Sequence, residues 1–385
     1  TAHPAPGRAE FDPAAWWQAA GAAMRSAVSA IGRAPGDYAA VSVGSLRQGY
    51  VLLDDKEELA PGVLNADRRG ADHLERVRQV VGRERLYEVT GHWSAPQLTL
   101  PKLLEEQRAG RLQRVGALRD LDLGLPRGID VVAGGGDTHL AAAGAGGLAD
   151  GVVSVVAGTT TPLQASTPAY PQDPEQHPWV SAHLQPDRWA AETNAGYTGM
   201  SLDWFARVSG TSVETLADEA AAAAAGANGI TAAVTARTWS EENWSSGAPG
   251  GLIGFEPGHA RADVARAFIE AHAYGIRGNL EDLERATGAA ASQVCLLGGA
   301  ARSRPFAQLV ADTTGRPIGR VASDYPAGRA FAWLARCGGD AQGAATPVFS
   351  GETIEPRPSD ALEEGYMRYI AAGDALHRAL PGWSA

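Results

Sequence analysis

The chain has 385 residues, of which 44% are hydrophobic and 20% charged, so it can bury a sizeable core and is not a disordered protein. Its net charge of −11 argues against a general nucleic-acid binder, which needs a basic excess. No apolar run reaches the length of a bilayer span, and the first ten residues lack the apolar core of a signal peptide. We therefore expect a cytoplasmic protein with neither a nucleic-acid nor a membrane partner.

The first third of the chain alternates between helical and strand-like patterns. Asp12-Pro13 supplies an N-cap and a first-turn proline, which predicts a helix over 14–31. The patterns that follow predict strands over 37–43 and 50–53 and helices over 72–81 and 97–107. A buried strand over 129–133 then breaks at Gly134–Asp137, and a helix of small residues follows from Thr138.

The rest of the chain continues this alternation, which is typical of an α/β architecture. Strands are predicted over 151–156 and 294–297. A loop or edge hairpin is predicted over 168–188, and an irregular segment over 237–251. The predicted helices are one that begins near Val213 and contains Ala220–Ala225, one over 262–283, one from about Arg304, and two more over 327–337 and 360–380.

Three of the predicted strands end in a glycine-rich turn, at Gly134–Asp137, Gly158–Thr160 and Gly298–Gly299. Ligands of open α/β sheets bind beyond the carboxyl ends of the strands, and exposed N–H groups in such turns attract phosphate. Glycine also serves tight helix–strand packing, so each turn alone has this second interpretation. Three together favour a phosphate ligand.

Other chemistry finds no support in the sequence. It has no Walker pattern, no dinucleotide-binding G-x-G-x-x-G, no H-E-x-x-H and no G-x-S-x-G elbow. The nine histidines are scattered, and two cysteines without a C-x-x-C are read as reduced thiols rather than as a metal cluster.

Several segments, taken in chain order, resemble the FGGY carbohydrate kinases. The likeness starts with Glu10–Pro13 and Trp16-Trp17 and covers nearly the whole chain. The segments that carry it further are 41–54, Asn65–Arg69, Leu125–Asp137, Val155–Thr160, Arg266–Glu270 and Leu297–Ser303 with Ala311-Asp312. Within the family, Ser45–Gly49, Asn65–Arg69 and Glu192–Phe205 resemble autoinducer-2 kinases more than xylulose kinases.

The resemblance implies two actin-like (ribonuclease H-like) α/β domains with a cleft between them. It assigns residues 1–150 to an incomplete N-terminal substrate and catalytic domain and 151–385 to a nucleotide-binding domain. It implies ATP and Mg²⁺, a small sugar or sugar-like carbonyl substrate of the pentulose or dihydroxypentanedione type, and allows a homodimer.

The resemblance also assigns roles to particular residues. Asp137 would be the general base and would contact Mg²⁺ through water, although as a helix cap it has a purely structural interpretation as well. Substrate contacts fall to Arg47, Gln48, Asp67 and Gly136; for Arg47 and Asp67 a solvated surface pair is the alternative. Nucleotide and phosphate contacts fall to Gly158, Thr159, Thr160, Gly298, Gly299, Ala300 and Ser303.

Two family features are missing from this sequence. Nothing matches the first phosphate loop, D-x-G-T, and the helical segment normally found between positions 107 and 115 is absent. Either residues of the natural protein are omitted, or the protein is a pseudokinase that binds sugar or nucleotide without transfer. Omission is favoured because losing central strands would leave sheet edges unpaired.

Overall fold

The computed structural model describes residues 1–45, 47–52, 61–110, 130–241, 250–321, 325–337, 347, 349 and 351–379. The chain divides into two compact units: Thr1–Asp137 with Phe331–Ala341, and Thr138–Ala330 with Gln342–Ala385. The expected domain boundary after residue 150 stays a prediction. None of the described helices is long and apolar enough to cross a membrane.

In the described part of residues 1–137, the first unit contains short strands and several helices. Its helices are α1 (Pro13–Ile31), α2 (Leu74–Val81), α3 (Arg83–Thr90) and α4 (Thr99–Arg108). Its strands are β1 (Glu10–Phe11), β2 (Ala40–Ser45), β3 (Gly62–Val63) and β4 (Asp130–Gly136). β1 pairs antiparallel with β3, and β2 pairs parallel with β4, so the carboxyl ends of β2 and β4 share one edge.

Helix α1 shows how closely local chemistry sets an element. The Asp12 carboxylate accepts a hydrogen bond from the Ala15 N–H at 3.1 Å, and Pro13 fills the first helical position. The helix ends at Gly32, whose φ of +66° is the left-handed conformation that suits glycine. The predicted cap, start and end are therefore confirmed.

The second unit contains a seven-stranded mixed sheet in the order β13-β12-β11-β5-β6-β8-β7. These strands are β5 (Val152–Val156), β6 (Pro162–Thr167), β7 (Trp179–Ala182), β8 (Trp189–Asn194), β11 (Gln293–Leu297), β12 (Ile318–Arg320) and β13 (Glu352–Ile354). A separate pair joins β9 (Thr231–Ala233) to β10 (Gly251–Ile253). Strand β11 runs parallel to both β5 and β12, which gives the centre of the sheet a common carboxyl edge.

Helices cover this sheet and supply most of its core. They are α6 (Thr198–Val208), α7 (Val213–Ala222), α8 (Arg261–Thr287), α9 (Arg304–Thr314) and α11 (Asp360–Ala379), while α5 (Asp137–Gly144) and α10 (Pro326–Arg336) include residues of both units. Ile276 and Leu283 of α8 are fully buried. Each such side chain contributes roughly 1.5–3 kcal/mol through burial.

Two sequence predictions need correction, and a third is confirmed. The strand expected over 50–53 is reduced to a single bridge between Tyr50 and Val63, and Leu53 lies outside the described residues. The alanine-rich helix ends at Ala222, because the chain turns at Gly226, whose N–H donates to the buried Glu270 carboxylate at 2.8 Å. The segment expected as loop or edge hairpin contains β7, which is indeed an edge strand paired with β8.

Candidate functional site

The first unit brings two predicted site segments to one edge. Ser45 at the end of β2 lies opposite Gly136 at the end of β4. Arg47 and Gln48 follow the first of these strands, and Asp137 follows the second. Because parallel strands end at the same edge, the predicted substrate loop and the predicted base share a location within this unit.

Asp137 is the first residue of α5 and its side chain is exposed. Gly135, two residues earlier, has a φ of +118°, which a residue with a side chain adopts only under strain. The glycines therefore let the backbone turn sharply and leave the carboxylate at the strand end. Both sequence interpretations of Asp137, helix start and catalytic base, remain compatible with this position.

Asp67, a predicted substrate-binding residue, is buried in the first unit. Its side chain is fully buried, and its carboxylate accepts the N–H of Ala9 at 2.7 Å and three N–H groups of Arg69 at 2.9 Å. Burial pushes the pKa of Asp67 upward, but these hydrogen bonds outweigh burial and hold the pKa below its usual value. Substrate binding by Asp67 stays a prediction, and the solvated surface pair is wrong for this residue.

Arg69 is the centre of a buried charge cluster that the sequence did not reveal. Its guanidinium also donates to Glu106 at 2.9 Å and to Glu10 at 2.6 Å. Tyr50 donates to the same Glu106 oxygen at 3.3 Å. The cluster ties the start of the chain, the segment around residue 67 and helix α4 together around the predicted substrate loop.

Lys102 of α4 completes this region. Its side chain is fully buried, and its ammonium donates to the carbonyl oxygens of Gln48 at 2.7 Å and Leu64 at 3.0 Å. Burial lowers the pKa of Lys102 to about 8. The helix predicted over 97–107 contains this lysine, but no pattern in the sequence indicates that it anchors the loop at Gln48.

The second unit places two of the predicted phosphate turns side by side. Leu297 at the end of β11 is in register with Val156 at the end of β5, so the turns that follow are neighbours. The Ala300 N–H donates to the Ala157 carbonyl at 3.2 Å, which joins one turn to the other. Gly158–Thr160 and Gly298–Ala300 are thus neighbours, and their contacts with nucleotide and phosphate stay a prediction.

Glycine is required at Gly298 by geometry. Its φ is +93°, and an added Cβ would lie 2.6 Å from the Ala157 carbonyl oxygen. Gly299 and Ala300 are exposed, and the Thr159 side chain is exposed on the neighbouring turn. The Ala300 N–H is engaged by Ala157. The exposed backbone of Gly299 and the Thr159 hydroxyl lie at strand ends and suit phosphate oxygens, so this pair of turns fits the phosphates of ATP mainly through these two residues.

The start of α6 packs directly against the Gly158 turn. Gly199 donates its N–H to the Gly158 carbonyl at 3.2 Å, and a Cβ at Gly199 would lie 2.3 Å from that oxygen. The hydroxyls of Thr161 and Thr198 meet at 2.6 Å. Sequence reasoning noted this segment only as a family likeness and missed its support of the turn.

Ser303 has a clear structural role. Its hydroxyl accepts the Phe306 N–H at 3.3 Å and caps α9. Its predicted contact with nucleotide stays a prediction. The cap places the first turn of α9 directly after the exposed Gly298–Ala300 turn.

One group of possible metal ligands lies elsewhere in the second unit, formed by Asp173, Glu175 and His177. The Arg285 guanidinium lies 3.5 Å from His177 Nδ1 and 3.7 Å from the Glu175 carboxylate. Because a cation already neutralises this group, we interpret it as an ion-pair network that fastens the proline-rich segment to the end of α8. Asp137 remains the predicted contact for Mg²⁺.

An α/β fold with glycine turns at the ends of parallel strands in each unit is typical of the actin-like class. The chain resembles the solved xylulose kinase of Rhodospirillum rubrum with a TM-score of 0.80 and 23% identity, covering 98% of this chain and 92% of that one. The fold class expected from the sequence, α/β and actin-like, is therefore confirmed.

Family models identify the particular family. Residues 1–119 match the N-terminal domain of the FGGY family of carbohydrate kinases, and residues 153–329 match its C-terminal domain. The chain belongs to the FGGY family of carbohydrate kinases, which confirms the resemblance seen in the sequence.

Two curated relatives show how far the likeness extends. YoaC of Bacillus subtilis, described as a putative sugar kinase, is 32% identical to this chain over a region that covers half of this chain. The same region covers 39% of the length of YoaC. The autoinducer-2 kinase of Klebsiella pneumoniae is 23% identical over 81% of this chain and 74% of its own length. The chain thus spans about two fifths of the first relative and three quarters of the second.

Proposed function

We propose that this protein transfers the γ-phosphoryl group of ATP to a hydroxyl of a small sugar or sugar-like carbonyl compound. The observation that supports this most directly is the arrangement of turns at strand ends. One unit carries Arg47, Gln48 and Asp137 at one sheet edge, and the other carries the paired turns at Gly158 and Gly298. The autoinducer-2 kinase relative points to dihydroxypentanedione, and the xylulose kinase neighbour to pentuloses, as the substrates to test.

In this proposal Asp137 accepts the proton of the attacking hydroxyl. Its carboxylate is exposed at the start of α5, where a ligand bound at this sheet edge can reach it. Arg47 and Gln48 bind substrate oxygens, and Gly136 lets the substrate approach the backbone. The buried Asp67 and Arg69 hold these groups in place.

The Gly158–Thr160 and Gly298–Ala300 turns bind ATP in the same proposal, with Ser303 close to the second turn. Phosphoryl transfer depends mainly on positioning and on neutralising charge. When Mg²⁺ is bound with the nucleotide, it supplies part of that neutralisation. The protein's own part is to hold the phosphates through N–H groups and the Thr159 hydroxyl.

The test replaces Asp137 with Asn in the full-length protein. Loss of a general base costs about 10²–10⁴-fold in rate. We expect kcat to fall within that range on whichever pentulose, polyol or dihydroxypentanedione the wild type phosphorylates, with melting temperature and nucleotide affinity nearly unchanged. The matched control is Asp218→Asn, an exposed position on α7, which should keep full activity.

The alternative is a pseudokinase that binds sugar or nucleotide without transfer. A wild-type protein that binds both ligands but consumes no ATP on the whole panel would establish it and refute the transfer reaction. If the kcat of Asp137→Asn stays within a few-fold of wild type, Asp137 is only the start of a helix and is not the base.

A further inference from the structure

Helix α4 holds both the backbone and the side chain of Gln48. Lys102 binds the Gln48 carbonyl, as described above, and the Gln48 side-chain oxygen accepts the Thr99 N–H at 3.1 Å and the Thr99 hydroxyl at 3.0 Å. Gln48 itself has a φ of +64°, a conformation that a residue with a side chain rarely adopts. A rare backbone geometry held by three hydrogen bonds indicates a side chain whose direction is fixed.

The contact with Thr99 also fixes which end of the Gln48 amide is used. A backbone N–H can only donate, so the atom that faces it must be the amide oxygen. That oxygen is occupied by two donors from Thr99. In the part of the chain that the structure describes, the Gln48 NH₂ group has no hydrogen-bond partner, and the side chain is only half-buried. Gln48 therefore offers a ligand donors and no acceptor.

Its neighbour Arg47 has the same chemical character. A guanidinium carries five N–H donors and no acceptor, and the Arg47 side chain is half-buried at the same loop. Arg47 can therefore bring no acceptor to this loop, and the donors that a ligand meets here are those of the Gln48 NH₂ group. A ligand oxygen that only accepts, a ketone or carboxylate oxygen, satisfies them without bringing a further O–H donor to the site.

We infer that Thr99 is a positioning residue that turns the Gln48 amide so that the site selects substrates with a carbonyl or carboxylate oxygen over the corresponding polyols. This inference rests on the proposed function, because it concerns the same substrate loop. Thr99 acts through Gln48 and is not itself a catalytic residue.

The experiment compares a ketose with its own polyol, D-xylulose with xylitol and D-ribulose with ribitol, as kcat/KM ratios and as binding ratios by calorimetry. Thr99→Ser keeps the N–H and the hydroxyl, Thr99→Val keeps only the N–H, and Thr99→Pro removes both. Proline suits the first position of a helix, and Leu98 before it is already extended at ψ 153°, so the last variant should fold. Melting temperatures verify this.

We expect the wild type and Thr99→Ser to favour the ketose by about tenfold, roughly the advantage of one hydrogen bond. The ratio should shrink in Thr99→Val and approach one in Thr99→Pro, mainly through KM. Gln48→Glu keeps an acceptor for Thr99 but replaces the donors with an oxygen, so it should invert the ratio in favour of the polyol.

Equal loss of ketose and polyol activity in the Thr99 variants would show a merely structural role and overturn the inference. A wild type that prefers polyols, or that binds neither member of a pair, would overturn it as well. If the wild type transfers no phosphoryl group, the proposed function fails by itself, and the calorimetric ratios of the same variants still decide the role of Thr99.

Discussion

At the scale of single residues, the first unit contains a cluster of buried and partly buried charges around one guanidinium. Asp67, Glu10 and Glu106 all bind that guanidinium, which belongs to Arg69. Removing Arg69 would leave all three carboxylates without their shared counter-charge, which is far more destabilising than the net worth of one ion pair. These residues therefore preserve the geometry of the loop at Arg47 and Gln48 whether or not they touch a substrate.

Lys102 gives the clearest residue-scale prediction. Lys102→Met removes the donor for two carbonyls and should cost about 2–5 kcal/mol of unfolding free energy. The pKa of Lys102 is about 8 in the folded chain against its ordinary 10.5. Between these values the unfolded state holds a proton that the folded state has lost, so the wild type gains stability as the pH rises.

The measurement is chemical denaturation at pH 7.5 and pH 10. The stability gap between wild type and Lys102→Met should widen at the higher pH. Leu100→Met, an exposed position on the same helix, should behave as wild type at both. A gap that is independent of pH would mean that the lysine titrates normally.

At the scale of elements, the helices followed from the sequence far better than the small strands. Helix α8 has a long apolar pattern and was predicted within a few residues of Arg261–Thr287. Strands β6 and β8 were missed because their residues pair with distant segments, which local patterns do not report. The end of α7 was missed because a hydrogen bond from Gly226 to Glu270 overrides the helix propensity of alanine.

The candidate site also has features that the sequence predicts and features that it does not. The glycine turns could be predicted because glycine after an apolar strand indicates a tight turn or a close approach to the backbone. The roles of Lys102 and Thr99 were invisible, because they depend on a helix packing against a loop some 50 residues earlier. Residues 111–129, which include part of the stretch between positions 107 and 115 where the resemblance leads us to expect a further helical segment, lie outside the described residues.

The paired turns of the second unit carry an element-scale prediction. Gly298→Ala places a Cβ against the Ala157 carbonyl at a positive φ, so it should cost about 1–3 kcal/mol and lower nucleotide affinity. Gly299→Ala is the matched control, because an added Cβ there meets no atom within 4 Å. Equal melting temperatures for the two variants would contradict the close approach of β5 and β11.

At the scale of the whole molecule, acid should weaken the fold well before most carboxylates are protonated. His272 is buried in α8, and burial lowers its pKa to about 4; burial also lowers the pKa of His183 to about 4, with Arg188 and His139 adding to the effect. Between pH 6.5 and 4 the unfolded state binds protons that the folded state does not. The contribution of these two histidines to stability is therefore complete above pH 6.5 and is lost as the pH falls toward 4.

For His272 alone the full loss is about 3 kcal/mol. Between pH 7 and pH 4 the melting temperature should fall steeply for the wild type and less steeply for His272→Gln. The glutamine amide of this variant can still bond to Ser201, whose hydroxyl lies 3.0 Å from the imidazole in the wild type. The exposed His3→Gln should follow the wild type. Parallel curves for all three would show that His272 is not responsible.

The burial of Lys102 has a practical consequence, because the chain contains only one other lysine, Lys56. Reductive methylation with ¹³C-formaldehyde would label at most two side-chain amines and give an NMR spectrum simple enough to assign by one substitution. A fully buried ammonium reacts only when α4 lifts from the loop at Gln48. The rate at which the Lys102 dimethyl signal grows would therefore measure how often the loop at Gln48 separates from α4. A ligand bound to that loop should lower this rate.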